Sequence, residues 1–261
     1  MTAQMRVLVL SIATRGDEAY DGMKRVLQAE AAKGLPEGWS HKFVYAGGEP
    51  GDPAHDVVIQ DVQEGLVPGV ARKTLAALKL HADDDYDYVI RSNLSTLWLW
   101  DRLRAFIEAA PRTRLFAGTV DERSGDHVCG CCMIWSRDVV AHLLEQPQWD
   151  EVWNSQEPDD VALDRVCGRF ADLSPVPRLD VYGTMFPGVQ MHCAPHPVHD
   201  CLRHVTHLRF KSYDRAFDAA SMEAAGLVIA YLRQHGEVDL LVAVHLAQCM
   251  VMTEWDDQAP E

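Results

Sequence analysis

The chain has no uninterrupted apolar run of the roughly 20 residues that a membrane-crossing helix demands. Its long apolar stretches, such as 238–247, are broken by Asp239 and His245, so no membrane span is expected. Residues 1–6 show no basic-then-apolar leader pattern, and a cytoplasmic protein is expected. Positive charge is scarce: 24 Lys and Arg stand against 39 Asp and Glu, a formal net charge of −15. Such an acidic surface repels phosphate backbones, which argues against general nucleic-acid binding and leaves room only for a local basic groove. Seven cysteines is an odd number in a chain without a leader, so thiols are the default over disulfides. The sequence also lacks a Gly-rich phosphate loop, a nucleophile elbow, an internal repeat and any low-complexity tract.

What is present is an ordinary globular composition. The 261 residues are 48% hydrophobic and 24% charged, too apolar to remain disordered. The opening run Arg6-Val-Leu-Val-Leu-Ser-Ile-Ala is continuously apolar and β-branched, which predicts a strand buried on both faces, as in a parallel sheet. Thr14-Arg15-Gly16-Asp17 breaks it, and apolar positions at Met23, Val26, Leu27 and Ala31 predict a helix that stops at Gly34. Strands are expected over 41–46, 56–61 and 88–90, with a helix over 70–82 between the last two. Next come a helix over 98–110, strands over 115–120 and 131–136, a helix over 137–145 capped by Ser136, and a helix from 159 to 170. The proline- and glycine-rich stretch 173–197 reads as irregular chain draped over the sheet. After it, 205–211 reads as extended, 221–235 and 238–253 as helices, and 256–261 as a fraying tail. This order calls for an α/β fold with a mostly parallel central sheet flanked by helices. No linker divides the chain, so one domain spanning 1–261 is expected.

In open α/β sheets, ligands bind beyond the carboxyl ends of the strands. Four polar groups fall there or nearby: Thr14-Arg15 after the first strand, Arg91-Ser92-Asn93-Leu94-Ser95 after the strand at 88–90, the pair Asp159-Asp160, and His207-Leu-Arg209-Phe-Lys211. In the last, three polar side chains at a spacing of two fall on one face of an extended segment. The bland alternative for that segment is a polar edge strand with solvated charges. For Asp159-Asp160 it is a helix start behind Pro158, where acidic residues complement the macrodipole.

From Arg6 to about Lys211, the order of these segments resembles the nucleotide-sugar-dependent glycosyltransferases of the GT-A fold. The carriers are Val7-Leu-Val-Leu-Ser-Ile-Ala-Thr, Arg72-Lys73-Thr74, Tyr86-Asp-Tyr-Val-Ile-Arg-Ser-Asn-Leu-Ser, Gly130-Cys-Cys-Met-Ile-Trp-Ser-Arg-Asp-Val-Val, Pro158-Asp-Asp-Val-Ala-Leu and the late His-x-Arg-x-Lys. The Asn-Leu-Ser variant is similar to small glycosyltransferase-like proteins of large DNA viruses and phages. The resemblance implies a GT-A-type, Rossmann-like domain with a nucleotide-binding half over about 1–120, an acceptor half over about 121–211 and C-terminal helices over 215–255. It implies transfer of a hexose or pentose, with inversion, from a nucleotide-diphosphate sugar, UDP-linked sugars being favoured. The acceptor it implies is a hydroxyl on a glycan or, as a minor option against the acidic charge, on a hydroxymethylated DNA base.

Site residues follow position by position. Thr14 and Arg15 would contact the base or ribose. The family's Asp-x-Asp, which holds Mn²⁺ or Mg²⁺ against the diphosphate, is replaced here by Asn93 and Ser95, a poorer site for a hard cation. The Asp83-x-Asp85-x-Asp87 matches precede the strand and face the opposite edge. The leaving diphosphate would then be stabilised by His207, Arg209 and Lys211, with Lys73, Arg91 and Arg15 adding to them. Asp160 would deprotonate the acceptor hydroxyl, and Asp159 would orient the acceptor. Trp149 and Trp153 would stack on the acceptor sugar, whereas Trp135 reads as core, and Trp98 and Trp100 are further stacking candidates.

Cys129-Gly-Cys131-Cys132, with His127 nearby and His192 and Cys193 later, invites a zinc reading but lacks paired ligand spacing. His192, His196, His199, His204 and His207 suit either a metal or a loop closing over the nucleotide. Two rival functions remain. One is a catalytically inactive domain that binds a glycan or scaffolds partners, motivated by the missing Asp-x-Asp. The other is a nucleotidyltransferase, which Asn93 argues against.

Overall fold

The computed structural model describes residues 4–121, 127–146, 149, 157–182, 188–192, 204–212, 214–235 and 240–256. The chain forms two compact units. The first runs to Arg15 and includes Leu35–Asn93 and Arg104–Val176; the second comprises Gly16–Gly34, Leu94–Leu103 and the chain from Pro177. Each is assembled from three separate stretches, so no linker or shift in composition marks the division.

The first unit is built on a seven-stranded sheet. Its strands are β1 (Val7–Ile12), β2 (Trp39–Ala46), β3 (Asp56–Ile59), β4 (Tyr88–Asn93), β6 (Leu115–Asp121), β7 (His127–Ser136) and β8 (Asp172–Pro175), in the order β3-β2-β1-β4-β7-β6-β8. β3, β2, β1 and β4 are parallel neighbours, β7 runs antiparallel to both β4 and β6, and β8 is parallel to β6. Every residue of β1 is buried, as its uninterrupted apolar run requires of a strand covered on both faces. Helices α2 (Gly69–Leu80), α4 (Arg137–Leu144) and α5 (Asp159–Cys167) supply Leu75, Leu78, Val139, Val140, Leu143, Leu163 and Val166 to the core beneath this sheet. Loops leaving β1, β2 and β4 share one edge of the sheet because those strands run in one direction.

The second unit contains α1 (Glu18–Gly34), β5 (Thr96–Trp98), the first turn of α3 (Trp100–Ala109), β9 (Arg178–Tyr182), β10 (Gly188–His192), β11 (His207–Phe210), α6 (Arg215–His235) and α7 (Leu240–Asp256). Its four-stranded sheet has the order β10-β9-β11-β5. No helix among the described residues is long and apolar enough to cross a membrane.

Three local expectations are corrected. The helix expected over 98–110 begins only at Trp100, because Thr96–Trp98 pair antiparallel with β11; a partner more than a hundred residues away overrides the local pattern. Residues 173–197 are not irregular throughout, since β8, β9 and β10 lie within or across them. The prolines there are tolerated because Pro175 ends an edge strand and Pro177 lies between strands. Ser136 occupies the N-cap position of α4 but does not cap it. Its hydroxyl accepts the Leu115 N–H at 3.0 Å and donates to Asp138 Oδ1 at 2.6 Å. The expected fraying beyond Asp256 lies outside the described residues.

Candidate functional site

Four of the singled-out residues fall in the first unit, Lys73 on α2, Arg91 on β4, and Asp159 and Asp160 in the first turn of α5; Arg91 bonds to Asp159, and Lys73 feels the charges of both. Arg91 is 1% exposed, and its Nη2 donates to Asp159 Oδ2 at 2.5 Å. Its Nη1 donates to the carbonyl of Gly130 on β7. A Cβ at position 130 would overlap that guanidinium, so glycine here makes the cradle for arginine. Burial pushes the Asp159 carboxyl above the usual range, the Arg91 charge pulls it down, and neighbouring Asp160 pushes it up again.

Asp160 is placed differently. Its side chain is 24% exposed against 11% for Asp159. Gly130 N–H donates to its Oδ2 at 3.2 Å and Val161 N–H to its Oδ1 at 3.1 Å. His127 Nε2, at the start of β7, lies 3.7 Å from Oδ2. Of the two adjacent carboxylates, one is therefore locked to a buried arginine while the other keeps an open side. Both lie in the first turn of a helix, whose N-terminus favours negative charge.

Lys73 is also enclosed. Its ammonium donates to the Ala13 carbonyl at 2.7 Å and to both oxygens of Glu64, at 2.8 and 3.1 Å. Burial lowers its pKa, Glu64 raises it, and the nearby Arg91 charge lowers it. Lys73 thus ties the end of β1 to the loop before α2. Glu64 carries no sequence signal for this role; only the fold brings it to Lys73.

Beyond β1, Thr14 is partly buried and Arg15 is exposed, and the Arg15 guanidinium lies 4.4 Å over the Tyr45 ring, a cation–π contact at the end of β2. Gly47 and Gly48 turn the chain there with φ of +64° and +78°, and Gln60 holds the Gly48 carbonyl at 3.0 Å. The ends of β1 and β2 therefore present a planar cation beside a tight glycine turn.

Asn93 ends β4 opposite Ile12 of β1. Ser95, two residues on, belongs to the second unit, where its carbonyl accepts the Phe210 N–H at 2.9 Å. An amide and a hydroxyl do not fit a divalent cation, which prefers anionic oxygen. The alternative acidic run is engaged in other contacts: Asp85 pairs with Arg6 and with Arg137, at 3.7 Å for the latter, and Asp87 with Arg112 at 3.0 Å and with the Arg6 N–H at 2.9 Å. These contacts lie before β4, at the edge away from Asn93. Among the described residues, no three His, Cys, Asp or Glu side chains are placed to hold a metal ion.

In the second unit, β11 lies between β9 and β5, with His207 opposite Arg178 and Trp98, and Arg209 opposite Asp180 and Thr96. His207 is fully buried, its ring 5.2 Å from that of Trp98 and its Nδ1 3.0 Å from Thr206 Oγ1. Arg209 is half-buried, and Lys211 is exposed just past the strand. Arg178 and Asp180 form a buried two-pronged pair, Nε to Oδ1 at 2.6 Å and Nη2 to Oδ2 at 3.1 Å. That pair stands beside His207 and Arg209 on one sheet face and falls in the stretch that the sequence presents as irregular.

Trp149 is nearly enclosed in the core of the first unit, its Nε1 donating to the Leu143 carbonyl at 2.7 Å, and its ring borders a 410 Å³ cavity with Leu75 and Lys79. Trp98, Trp100 and Trp135 are core residues. Trp153, Cys193, His196 and His199, together with the side chain of His192, lie outside the described residues. Cys129, Cys131 and Cys132 are buried thiols of β7.

No family profile matches the sequence, and no curated protein matches it. Solved structures do. The galactosyltransferase LgtC in complex with donor and acceptor sugar analogs superimposes with a TM-score of 0.50 at 12% identity, over 83% of this chain and 92% of that one. A glycosyltransferase involved in glycosylation of the major capsid of PBCV-1 gives 0.49 at 12% identity, over 84% of this chain and 98% of that one. The glycosyltransferase GlyE of Streptococcus pneumoniae gives 0.43, over 66% of this chain and 45% of that one. At such identity the likeness is one of fold. The mixed α/β architecture with its seven-stranded, mostly parallel sheet is a GT-A-type fold.

Proposed function

We propose that the chain is a glycosyltransferase that moves a sugar from a nucleotide-diphosphate donor, UDP-linked in the favoured case, to an acceptor hydroxyl with inversion. The acceptor in this reading is a glycan or, less favoured by the −15 charge, a hydroxymethylated DNA base. The observation that carries it is the unequal pair at the start of α5: Asp159 fixed by Arg91, Asp160 left open beside Gly130 N–H. In this reading the acceptor O–H gives its proton to Asp160 as its oxygen bonds to the anomeric carbon, and the leaving diphosphate keeps the electron pair. Arg91 and Lys73 act here as struts beneath the site. Arg15 and Thr14 face the base and ribose. Asn93 of the first unit, and Ser95, Arg209 and Lys211 of the second, are each candidates for contact with the diphosphate, and His207 supports Arg209 from within the small sheet. Growing charge on the diphosphate is met by side-chain cations, because a neutral amide and hydroxyl stand where a metal would need carboxylates.

A second reading, a catalytically retired domain that binds a glycan or scaffolds partners, is favoured by Asn93 and Ser95 alone. The Asp160→Asn variant separates the two. Under glycosyl transfer, release of nucleotide diphosphate falls by about 10²–10⁴-fold while donor binding persists. Under the retired reading, binding by the variant and the wild type is the same and neither turns over.

A further inference from the structure

We propose that His127 is a positioning residue for Asp160 and receives the proton that this carboxylate takes from the acceptor. The inference rests on the reading of Asp160 as the base. His127 opens β7, and its Nε2 lies 3.7 Å from Asp160 Oδ2, the oxygen that also accepts the Gly130 N–H at 3.2 Å. Oδ1 is held by the Val161 N–H at 3.1 Å. Two backbone donors fix the carboxylate, and of its three contacts only the imidazole can accept a proton. The imidazole is the more enclosed partner, 10% exposed against 24% for the carboxylate.

Asp121 of β6 stands opposite His127 in the ladder, and among the described residues the other charged side chains near Asp160 have their own contacts. Asp159 is held by Arg91, Asp164 Oδ1 accepts the Val128 N–H at 3.0 Å, Arg165 is paired with Glu157, and Lys73 is bound to Glu64. Among the described residues, His127 has Asp160 as an ion-pair partner.

The proton balance closes. The acceptor oxygen bonds to the anomeric carbon, the bond from that carbon to the diphosphate breaks, and the electron pair leaves with the diphosphate. The hydroxyl proton passes to Asp160 and then to Nε2 of His127. The resulting imidazolium stands beside the restored carboxylate and loses its proton to solvent. A contact of this length in a ligand-free enzyme is expected to tighten when substrate is bound.

The test uses the full chain and UDP-, GDP- and dTDP-linked sugars, with donor binding read by calorimetry and turnover by release of nucleotide diphosphate across a pH series. His127→Gln keeps the size and a hydrogen-bond donor, and His127→Ala leaves a space that free imidazole can enter. Both variants are expected to bind donor like the wild type and to turn over more slowly, by about a hundredfold for His127→Ala. Both change the pH profile of turnover, and added imidazole restores part of the His127→Ala rate. Wild-type turnover in both variants overturns the proposal and leaves glycosyl transfer standing. So does slower turnover with an unchanged pH profile and no rescue, because a purely structural histidine behaves that way. A wild-type chain that binds no donor removes both readings together.

Discussion

A methyl group at position 130 would overlap the Arg91 guanidinium, which is itself closed in by the Gly130 carbonyl and Asp159. The arginine has no spare room, so a Gly130→Ala variant must shift either β7 or the buried ion pair. We expect it to lose about 1–3 kcal/mol of stability, as overpacked cores do. Urea unfolding measures this, and Gly65→Ala is the control, because a Cβ there meets nothing within 4 Å and the loss should be near zero. At this scale the sequence shows Asp159, Asp160, Arg91 and Lys73 as candidates, since charged residues at strand ends and helix starts stand out in a linear reading. Glu64 does not stand out at all, and Gly130 and His127 do so only as part of a motif and of a zinc candidate; their partners lie 9 to 39 positions away and meet them only in the fold.

β1, β2 and β4 share more than their backbone ladder. Ser11 of β1 bonds to His41 Nε2 of β2 at 2.8 Å and to Ser92 of β4 at 3.0 Å, a buried polar chain across three central strands. Burial, and then the nearby charge of His55, push the His41 imidazole from 6.5 down to about 3. The folded state thus keeps His41 neutral where the unfolded chain binds a proton, so stability falls as pH drops from 6.5 toward 3. The slope contributed by this one group is about 1.4 kcal/mol per pH unit in that window. Chemical unfolding at several pH values should show a flatter curve for His41→Gln than for the wild type, and equal slopes would contradict the assignment. β1, α1, α2 and β4 are legible in the sequence because their apolar patterns, a continuous run in β1 and helical spacing in α1, are local and strong. β5, β9 and β10 are not, since short strands in proline-rich chain are defined by partners on β11 and by one another.

At the scale of the whole molecule, the GT-A-type sheet was legible from the order of strand, helix and strand-end motifs. The division into two interleaved units was not, because no stretch of sequence belongs to a linker. A net charge of −15 sets a further condition on the proposed function: the proposed diphosphate donor would approach an acidic protein and would have to be met by local cations. The cationic candidates are Arg15 in the first unit and Arg209 and Lys211 in the second. The neutral Asn93 and Ser95 predict that a divalent ion adds little to donor affinity. Titration calorimetry of the full chain with UDP-, GDP- and dTDP-linked sugars, with and without Mn²⁺, tests this most directly. At least one donor class is expected to bind, tightened by less than about tenfold, or 1.4 kcal/mol, when Mn²⁺ is added. Absence of binding for every donor under both conditions would contradict it.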